Sequence, residues 1–328
     1  MLNHRQVTWI MPVLNGMPYL PQALESIAGQ SLQAAELLVW DNGSTDGSLE
    51  ELRRWIPGRI PGRVFSGRPL SLGNSLAALA LESKTSLLAR MDADDICLPQ
   101  RLERQLQHLR EHPHLALVGS ERQFIDANSN PIANRSALPL DPIDIRHATL
   151  RAPRLLHPSV LMSRAALLEC GNYQDLSHEQ HPYWSEDYDL WLRLQCKYLV
   201  ATMPECLILY RDNPAGVSEQ AMRTNRAAQA RRLAWMANCA EFAGLTHRPT
   251  AELLWQRQLW FSFPTLRRIA RHLSRLDGVT ESQRFSMPSF LRICASFLRQ
   301  GDWLTRLWIK SATRRADPSR DPRPSSAD

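Results

Sequence analysis

The most informative stretch of this chain is Ser86-Leu87-Leu88-Ala89-Arg90-Met91-Asp92-Ala93-Asp94-Asp95. Its largely apolar first part predicts a buried strand, and three carboxylates then follow within four residues. Carboxylates that crowd together repel one another, so the cluster is unfavourable unless a cation neutralises it. Because oxygen ligands suit Mg²⁺ or Mn²⁺, we expect a divalent-metal site at the end of this strand. The alternative is an acidic turn ahead of the helix that follows Pro99.

Strands and helices alternate on both sides of this stretch. Apolar runs at residues 7–11, 36–40 and 115–119 predict further strands. Apolar residues at helical spacing predict helices over residues 20–28 and 102–109. A strand–helix–strand order implies a parallel sheet with helices on its faces. We therefore predict an α/β fold of Rossmann-like type, with ligands bound beyond the carboxyl ends of the strands.

A dense turn, Asp41-Asn42-Gly43-Ser44-Thr45-Asp46-Gly47, follows the second predicted strand. Its side chains are able to bind the edge of a base or a ribose; alternatively, they form only an Asn-Gly turn with local caps. Pro12 is expected to end the first strand. Residues 57–69, which hold three Gly-Arg pairs, are predicted to be a loop, and residues 125–156, whose periodicity is weak, are predicted to be rich in loops.

Two polar motifs lie further along the chain. His157-Pro158-Ser159 precedes a short apolar run, and Glu186-Asp187 opens a predicted helix with Ser185 as its cap. An acid at the start of a helix is a candidate general base, although the helix dipole alone favours acids there. A single histidine such as His157 is either a structural residue or part of a site.

The order and spacing of six motifs resemble those of the family 2 glycosyltransferases over residues 5–219. The Ala-Arg-Met-Asp-Ala-Asp-Asp and Glu-Asp-Tyr-Asp-Leu-Trp strings carry most of this resemblance. It implies a GT-A fold, a nucleotide-sugar donor, a divalent cation (Mn²⁺ or Mg²⁺) bound by a DxD motif, and inversion at the anomeric carbon. The six motifs are Met11-Pro12-Val13-Leu14-Asn15, Asp41-Asn42-Gly43-Ser44-Thr45-Asp46, Ala89-Arg90-Met91-Asp92-Ala93-Asp94-Asp95 with Pro99 and Arg101-Leu102, His157-Pro158-Ser159-Val160, Glu186-Asp187-Tyr188-Asp189-Leu190-Trp191, and Tyr210-Arg211.

Carried over position by position, the resemblance implies roles for individual residues. Asp187 matches the catalytic base, Asp94 matches the metal-binding acid, and Asp92 matches the first acid of the DxD motif, near both metal and donor. The positions that match donor-binding residues are Pro12, Asn15, Asp41, Asn42 and Asp92. The positions that match the acceptor side are His157, Ser159 and Glu186.

Three positions depart from the residues that are frequent in the family. Leu14 stands where many members have Tyr, so stacking on the base is weaker. Asn42 stands where Asp is frequent, but its amide oxygen can still accept a hydrogen bond from N3–H of uracil or thymine. The sequence therefore leaves UDP-sugars and dTDP-sugars both as candidate donors. Asp212-Asn213 stands where a His near the diphosphate is frequent, which leaves open the residue that closes over the phosphates.

The last third of the chain differs in charge from the rest. Residues 1–220 hold 20 Lys and Arg against 25 Asp and Glu, whereas residues 221–328 hold 19 against 8. The sequence predicts a transferase domain (residues 1–220), a basic helical extension rich in Arg and Trp (residues 221–315) and a disordered tail (residues 316–328). The extension either lies on an anionic membrane surface or packs as a helical cap. No nucleic-acid-binding module is visible, so nucleic acid is not an expected partner.

Composition and cysteine usage indicate the compartment. The chain is 44% hydrophobic and 22% charged, which is typical of globular proteins. No apolar run approaches the roughly 18 residues that a membrane-spanning helix needs. The six cysteines are scattered without CxxC pairs, and the first residues lack the order of a secretory signal. We expect a cytoplasmic enzyme, peripheral on the inner face of the cytoplasmic membrane if the basic extension binds lipid.

The main functional hypothesis is an inverting glycosyltransferase that moves a sugar from a UDP- or dTDP-sugar to a hydroxyl of a glycan or glycolipid, in surface-polysaccharide synthesis. Asp187 would take the proton of that hydroxyl, while a cation held by Asp94 would offset charge on the leaving diphosphate. Two alternatives are a sugar nucleotidyltransferase and an inactive, membrane-associated glycan-binding protein on the same fold.

Overall fold

The computed structural model describes residues 4–134, 137–149, 153–175, 186–195 and 197–213. These residues form eight strands and seven α-helices, and they include short 3-10 turns at His4–Gln6 and His157–Ser159. The strands are β1 (Val7–Val13), β2 (Glu36–Asp41), β3 (Gly62–Ser66), β4 (Leu87–Arg90), β5 (Ile96–Cys97), β6 (Leu115–Ile125), β7 (Leu161–Ser163) and β8 (Leu199–Arg211). The helices are α1 (Leu20–Ala28), α2 (Ser48–Trp55), α3 (Leu72–Glu82), α4 (Arg101–Glu111), α5 (Pro142–Thr149), α6 (Arg164–Glu169) and α7 (Glu186–Leu194).

The eight strands of the described part form a single sheet in the order β3-β2-β1-β4-β7-β6-β8-β5. Strands β1, β2, β3 and β4 are parallel neighbours, and β6 is parallel to β8. Strands β7 and β5 run antiparallel to the strands beside them. The mostly parallel sheet with flanking helices confirms the predicted α/β class.

Hydrophobic side chains cover both faces of the sheet, as expected for parallel strands whose sequences are continuous apolar runs. Trp9 and Met11 of β1 pack in one cluster with the buried leucines of α1, α2 and α4. Ile10 packs in a second cluster with those of α3, α6 and α7. Alternate residues of β1 thus point to opposite faces. Each fully buried aliphatic side chain of this kind contributes roughly 1.5–3 kcal/mol.

Strand β1 continues through Pro12 to Val13, so the prediction that Pro12 ends the strand is wrong. Pairing between β1 and β4 stops at Ile10↔Arg90, whereas pairing between β1 and β2 runs on to Val13. The carbonyl of Ile10 accepts a hydrogen bond from the N–H of Met91, so the even-numbered residues of β1 face β4. Pro12 therefore faces a side on which β4 has already ended, and its missing N–H removes no ladder bond.

Two segments that the sequence predicts as loops contain regular structure. Strand β3 lies within residues 57–69 and pairs in parallel with β2. It is an edge strand whose side chains are only partly buried, which is why its apolar pattern is weak. Helix α5 lies within residues 125–156 and begins at Pro142, a residue suited to the first turn. Among the α5 side chains that the structure describes, Ile145 joins the core, and this tertiary contact marks the helix.

The carboxyl ends of β1, β2 and β4 meet at one edge of the sheet. Asn15 lies just beyond β1, Asp41 is the last residue of β2, and Asp92 lies just beyond β4. This is the edge at which open parallel sheets bind their ligands. The fold thus brings together polar residues that are up to about 77 positions apart in the sequence.

No helix in the described part of the chain is long and apolar enough to cross a membrane. The predicted basic extension, the predicted disordered tail and the predicted Ser185 cap lie outside the described residues, as does the domain boundary at residue 220.

Candidate active site

Asp92, Asp94 and Asp95 form a compact acidic cluster just beyond β4. One carboxylate oxygen of each lies within 4.8 Å of those of the other two. The Asn213 amide donates a hydrogen bond to Asp94 Oδ2 at 3.1 Å, and the N–H of Arg211 donates one to Asp95 Oδ1 at 2.8 Å. The end of β8 therefore supports the cluster from one side.

Burial and mutual repulsion disfavour the charged form of two of these acids. Burial, followed by repulsion from Asp92, raises the pKa of Asp94. Burial raises the pKa of Asp95 well above its ordinary value, and Asp94 and Asp92 add to that effect. The buried Oδ2 of Asp95 has no hydrogen-bond partner among the described residues. A divalent cation would relieve both the repulsion and the unpaired oxygen, so these all-oxygen ligands fit Mg²⁺ or Mn²⁺.

A buried arginine lies behind the acidic cluster. Arg90 is only 2% exposed and forms an ion pair with Asp92. Burial acts to lower the pKa of Arg90, but the charge of Asp92 and its hydrogen bond outweigh burial, so the pKa is raised. Glu186 also contributes to this rise. Arg90 therefore lies within electrostatic reach of both the acidic cluster and the start of α7.

The loop after β1 and the turn after β2 are tied together through Asn15. The N–H of Asn15 donates to Ser44 Oγ at 2.9 Å, and Asn15 Oδ1 accepts from the N–H of Thr45 at 2.9 Å. Asn15 has a left-handed backbone with φ of 50°, which asparagine tolerates better than most residues. Leu14 beside it is 60% exposed and offers an apolar surface at this edge.

Asp41 and Asn42 are both buried but are engaged differently. Asp41 Oδ2 accepts hydrogen bonds from the N–H groups of Gly43 and Ser44, whereas Asp41 Oδ1 has no partner among the described residues. The Asn42 amide group donates to Ser75 Oγ at 2.9 Å. Asn42 Oδ1 also accepts from the N–H of Leu70 at 2.9 Å. The free acceptor at the end of β2 is therefore Asp41 Oδ1, while the Asn42 side chain holds the neighbouring segments.

Glu186 and Asp187 open helix α7 with different environments. Glu186 is buried, whereas Asp187 is half-buried. Burial raises the pKa of Glu186 to about 8, and the charge of Asp187 adds to the shift. Asp187 Oδ1 accepts a hydrogen bond from the N–H of Tyr188 at 2.7 Å. At neutral pH Glu186 thus holds a proton, next to Asp187 in the first turn of the helix.

His157 lies in a buried cluster next to Glu186. Its Nε2 is 2.9 Å from the Tyr173 hydroxyl, and its Nδ1 is 3.7 Å from Glu186 Oε1. Its ring meets that of Trp191 edge-on, with centroids 5.7 Å apart. Burial, followed by the positive charge of Arg90, lowers the pKa of His157 well below its ordinary value. Because both His157 and Glu186 are uncharged at neutral pH, their contact is not an ion pair.

Ser159 and Pro12 are fully enclosed by the fold. The Ser159 hydroxyl donates to the carbonyl of Leu156 at 2.8 Å and accepts from the N–H of Ser120 at 3.1 Å. Both hydrogen bonds shape the turn that carries His157. Pro12 is buried inside β1. The structure thus places these two residues behind the site rather than on its open surface.

Several known proteins are similar to this chain. The model for "Glycosyl transferase family 2" matches residues 8–170. The amylovoran biosynthesis glycosyltransferase AmsE of Erwinia amylovora is 31% identical over 194 residues, which cover 58% of this chain and 70% of that relative. The chain belongs to glycosyltransferase family 2. The O-antigen biosynthesis glycosyltransferase WbnJ of Escherichia coli is 25% identical over 226 residues, covering 66% of this glycosyltransferase and 83% of WbnJ.

Solved structures share the fold of this glycosyltransferase. The S. aureus TarS 1–349 complex with UDP superposes with a TM-score of 0.56 at 14% identity, covering 89% of this chain and 80% of TarS 1–349. The mannosyltransferase PcManGT from Pyrobaculum calidifontis, in complex with GDP-Man and Mn²⁺, gives a TM-score of 0.55 at 16% identity. This match covers 95% of this chain and 80% of the PcManGT chain. At these identities the likeness is one of fold, which agrees with the predicted GT-A architecture.

Arg211 is a residue of the site to which the sequence assigns no role. Its Nε donates to the carbonyl of Asp94 at 2.8 Å, and its Nη1 donates to the carbonyl of Asp126 at 2.8 Å. Its Nη2 donates to Gln22 Oε1 at 2.9 Å, and its guanidinium lies 4.3 Å from the centroid of the Tyr19 ring. The only signal in the sequence is the Tyr210-Arg211 pair, which shows no sign of these distant partners.

Tyr173 is a further residue that sequence reasoning does not single out, and Asn213 is one that it marks only as a departure from the family. Asn213 lies beside Asp94, at the place where the glycosyltransferase sequence departs from the frequent His. Tyr173 is the hydroxyl partner of His157. Burial strongly raises the pKa of Tyr173, so its hydroxyl stays protonated. No local pattern marks Tyr173, because its role depends on burial against α7 and the His157 turn.

Proposed function

We propose that this glycosyltransferase moves a sugar from a nucleotide-diphosphate donor to a hydroxyl of a glycan or glycolipid, with inversion at the anomeric carbon. One observation carries the proposal. The acidic cluster is linked to the start of α7 through Arg90, which pairs with Asp92 and whose N–H donates to the carbonyl of Val160 at 3.0 Å. His157, in the turn before Val160, lies 3.7 Å from Glu186. A cation-binding group and a proton acceptor at one sheet edge are the two parts that such a transfer requires.

The metal ligands in this proposal are Asp94 and Asp92, with Mn²⁺ or Mg²⁺ as the cation. Asp95 is a third member of their cluster, and its unpaired Oδ2 supports the assignment. A bound divalent cation supplies positive charge that stabilises the departing nucleoside diphosphate. Asn213, which donates to Asp94, is the candidate for the position beside the phosphates.

Asp187 is the proposed general base. It accepts the proton of the acceptor hydroxyl while that oxygen bonds to the anomeric carbon and the carbon–diphosphate bond breaks. The carbon becomes oxocarbenium-like on the way, as in glycoside hydrolysis. One base on one face implies a single displacement and therefore inversion. Such a base contributes about 10²–10⁴-fold to the rate.

The nucleoside of the donor is proposed to bind at the ends of β1 and β2. Leu14 offers an exposed apolar contact there, and Asn15 shapes the loop. Asp41 Oδ1 is the free acceptor for a base N–H or a ribose hydroxyl. Asn42, which the resemblance places on the base, supports this site through its contacts with Leu70 and Ser75. UDP- and dTDP-sugars both suit this arrangement.

We place the reaction in surface-polysaccharide synthesis, because AmsE and WbnJ bear amylovoran and O-antigen biosynthesis in their names. A cytoplasmic location with peripheral membrane contact through residues 221–315 is part of the proposal. The excess of Lys and Arg in that segment supports it, since anionic lipid attracts basic helices. The acceptor-side residues in this proposal are Glu186 and His157, with Ser159 shaping their turn.

Thermal unfolding with UDP, dTDP, GDP and CMP, each with and without Mn²⁺, tests the proposal on wild type and Asp94→Ala. UDP or dTDP should stabilise the wild type only when Mn²⁺ is present. At a ligand concentration of 100 times Kd, the gain in unfolding free energy is about 2.7 kcal/mol. Asp94→Ala should unfold at or above the temperature of the unliganded wild type and lose the Mn²⁺-dependent gain.

The control variant is Glu25→Gln, an exposed acid on α1 away from the cluster, which should respond like the wild type. A response to GDP alone would contradict the proposed donor class. A flat response to all four nucleotides would contradict nucleotide-sugar binding and favour an inactive glycan-binding protein.

A further inference from the structure

We infer that Arg101 and Gln105 of helix α4 are positioning residues that fix the acid loop (residues 92–95) relative to the turn His157–Ser159. The acid loop is the proposed metal and donor side of the site, and the turn carries the histidine of the acceptor side. The inference therefore rests on the proposed function, which assigns those two sides.

Arg101 is fully buried and reaches the end of β4. Its Nη2 donates to the carbonyl of Arg90 at 2.8 Å and, at 3.4 Å, to the carbonyl of Val160. Its Nη1 lies 3.4 Å from Met91 Sδ, and its guanidinium is 4.9 Å from the centroid of the Trp9 ring. Arg101 thus contacts the two residues that lead into the acid loop and the residue that follows the His157–Ser159 turn.

Gln105 lies one helical turn further along the same face of α4 and is also fully buried. Its Nε2 donates to the carbonyl of Ser159 at 2.7 Å and to that of Val118 at 3.3 Å. Its Oε1 accepts a hydrogen bond from Arg101 Nε at 3.3 Å. The two side chains therefore form one unit that holds both segments.

Two of the carbonyls that this unit binds, those of Arg90 and Ser159, lie where the ladder between β4 and β7 ends. Pairing between β4 and β7 runs from Leu87↔Ser163 to Ala89↔Leu161 and includes neither Arg90 nor Ser159. Both residues are buried, and a buried carbonyl without a partner is unfavourable by about 1–3 kcal/mol. Helix α4 supplies the missing donors and so fixes the geometry of the two segments as they leave the sheet.

The charge of Arg101 argues against a purely space-filling role. Burial lowers the pKa of Arg101 to about 10, against opposing effects of Cys97 and Asp95, so the side chain is cationic at neutral pH. Burying a cation is costly unless it makes specific hydrogen bonds, and an aliphatic side chain would fill the same space more favourably. Fixed donors to the carbonyls account for the cation.

Hydrogen–deuterium exchange on the full chain tests the inference. Gln105→Met keeps the side-chain length and Arg101→Met keeps the apolar part of the side chain, while both remove the donors. Arg101→Met should speed exchange roughly tenfold or more at two sites together, the amides of residues 90–91 and those of residues 159–160. Gln105→Met should speed exchange mainly at residues 159–160, because its donors reach only that segment and β6.

Arg104→Met is the matched control, since Arg104 lies on the exposed face of α4 and pairs with Glu205. It should leave exchange at both sites unchanged. Exchange that rises equally in β2 and β3, remote from α4, would show general destabilisation and overturn the inference. Unchanged exchange at residues 90–91 in a folded Arg101→Met would overturn it as well.

Binding of Mn²⁺ in the presence of saturating UDP gives a second readout. Arg101→Met should raise the Kd for Mn²⁺ by about 10–100-fold well below its Tm, as loss of outer-shell partners does. Arg101→Lys should recover part of this loss, and Arg104→Met should match the wild type. A wild type that binds no Mn²⁺ with UDP would overturn the proposed donor site, whereas the exchange experiment would still decide the positioning role. A wild-type Kd in Arg101→Met would overturn the positioning role alone.

Discussion

Two neighbouring carboxyl groups, Glu186 and Asp187, show how environment separates chemical roles at the scale of single residues. Burial raises the pKa of Glu186 to about 8, so this side chain is protonated at neutral pH. Asp187 is half-buried and one position further along the helix. Pairs whose surroundings push their protonation apart commonly divide acid and base duties. We therefore expect Asp187 to accept protons and Glu186 to act as an uncharged neighbour.

Asp187→Asn should lower the transfer rate by about 10²–10⁴-fold, because the amide cannot accept the acceptor proton. The Kd values for Mn²⁺ and nucleotide should stay within a factor of about three of the wild-type values, since Asp187 is not proposed to contact the nucleotide-sugar donor. Steady-state kinetics and ligand-induced thermal shifts measure the two effects. Glu186→Gln, which mimics the protonated acid, is the matched variant and should keep most of its activity. Full activity in Asp187→Asn would show that another group is the base.

The raised pKa of Glu186 also predicts how stability depends on pH. The folded pKa of about 8 exceeds the ordinary value of 4.5, so Glu186 favours the folded state when it is protonated. Its contribution is complete below pH 4.5 and is lost as the pH rises towards 8. Within that window the free energy of unfolding falls by at most about 1.4 kcal/mol per pH unit.

Urea unfolding of wild type and Glu186→Gln between pH 5 and pH 8 measures this dependence. The difference between the two proteins isolates Glu186, because the other titrating groups are common to both. The wild type should lose stability relative to Glu186→Gln as the pH rises. Parallel curves across the window would show that Glu186 is already ionised in the folded protein.

At the scale of elements, strand β3 depends on close backbone approach rather than on apolar pattern. A Cβ on Gly62 would lie 2.0 Å from the carbonyl oxygen of Leu37 on β2. The loop after β3 brings the N–H of Leu70 to Asn42. Displacement of β3 should therefore also shift Asn42, next to the proposed nucleoside site at the end of β2.

Gly62→Ala should reduce the free energy of unfolding by roughly 1–3 kcal/mol, because β2 and β3 must move apart to admit the methyl group. Gly58→Ala is the control, since a Cβ there meets nothing within 4 Å, and its effect should stay within about 0.5 kcal/mol. Urea unfolding measures both. Equal stability of the two variants would show that the close approach of Gly62 is not needed.

At the scale of the whole molecule, Arg211 joins segments from opposite ends of the described chain. It binds the acid loop through the carbonyl of Asp94, the turn after β6 through that of Asp126, and α1 through Gln22. Its removal would take a charged donor from the carbonyl of Asp94 and break the link between these three segments. Arg211 thus links the acid loop to helix α1 and to the turn after β6.

Arg211→Met should lower the free energy of unfolding by about 1–3 kcal/mol, since the carbonyl of Asp94 loses its charged donor. Arg59→Met, which removes an exposed partner of Glu25, should change it by less than about 1 kcal/mol. Chemical unfolding monitored by circular dichroism measures both. A loss for Arg211→Met no larger than that for Arg59→Met would contradict the linking role.

Local patterns predict the elements that carry most of the fold. The apolar runs of β1, β2 and β4 and the leucine spacing of α4 (Arg101–Glu111) are visible in the sequence, because burial imposes a period on neighbouring residues. Strand β3 and helix α5 escape this reasoning. The side chains of β3 are exposed or only partly buried, so they leave little periodicity, and pairing with β2 defines the strand. Helix α5 is recognised by the packing of Ile145 among its described side chains.

The sequence by itself determined the α/β class, the family and the identity of the acid loop, because those depend on short strings and strand ends. Tertiary structure alone decided which groups are engaged within the protein. In the folded chain, Asp41 Oδ1 has no partner among the described residues, whereas the Asn42 side chain is hydrogen bonded. Burial keeps Glu186 protonated at neutral pH, next to Asp187. Tertiary structure also set Arg101 against the strand ends. The reason is that burial and hydrogen bonding between residues distant in sequence leave no local pattern to read.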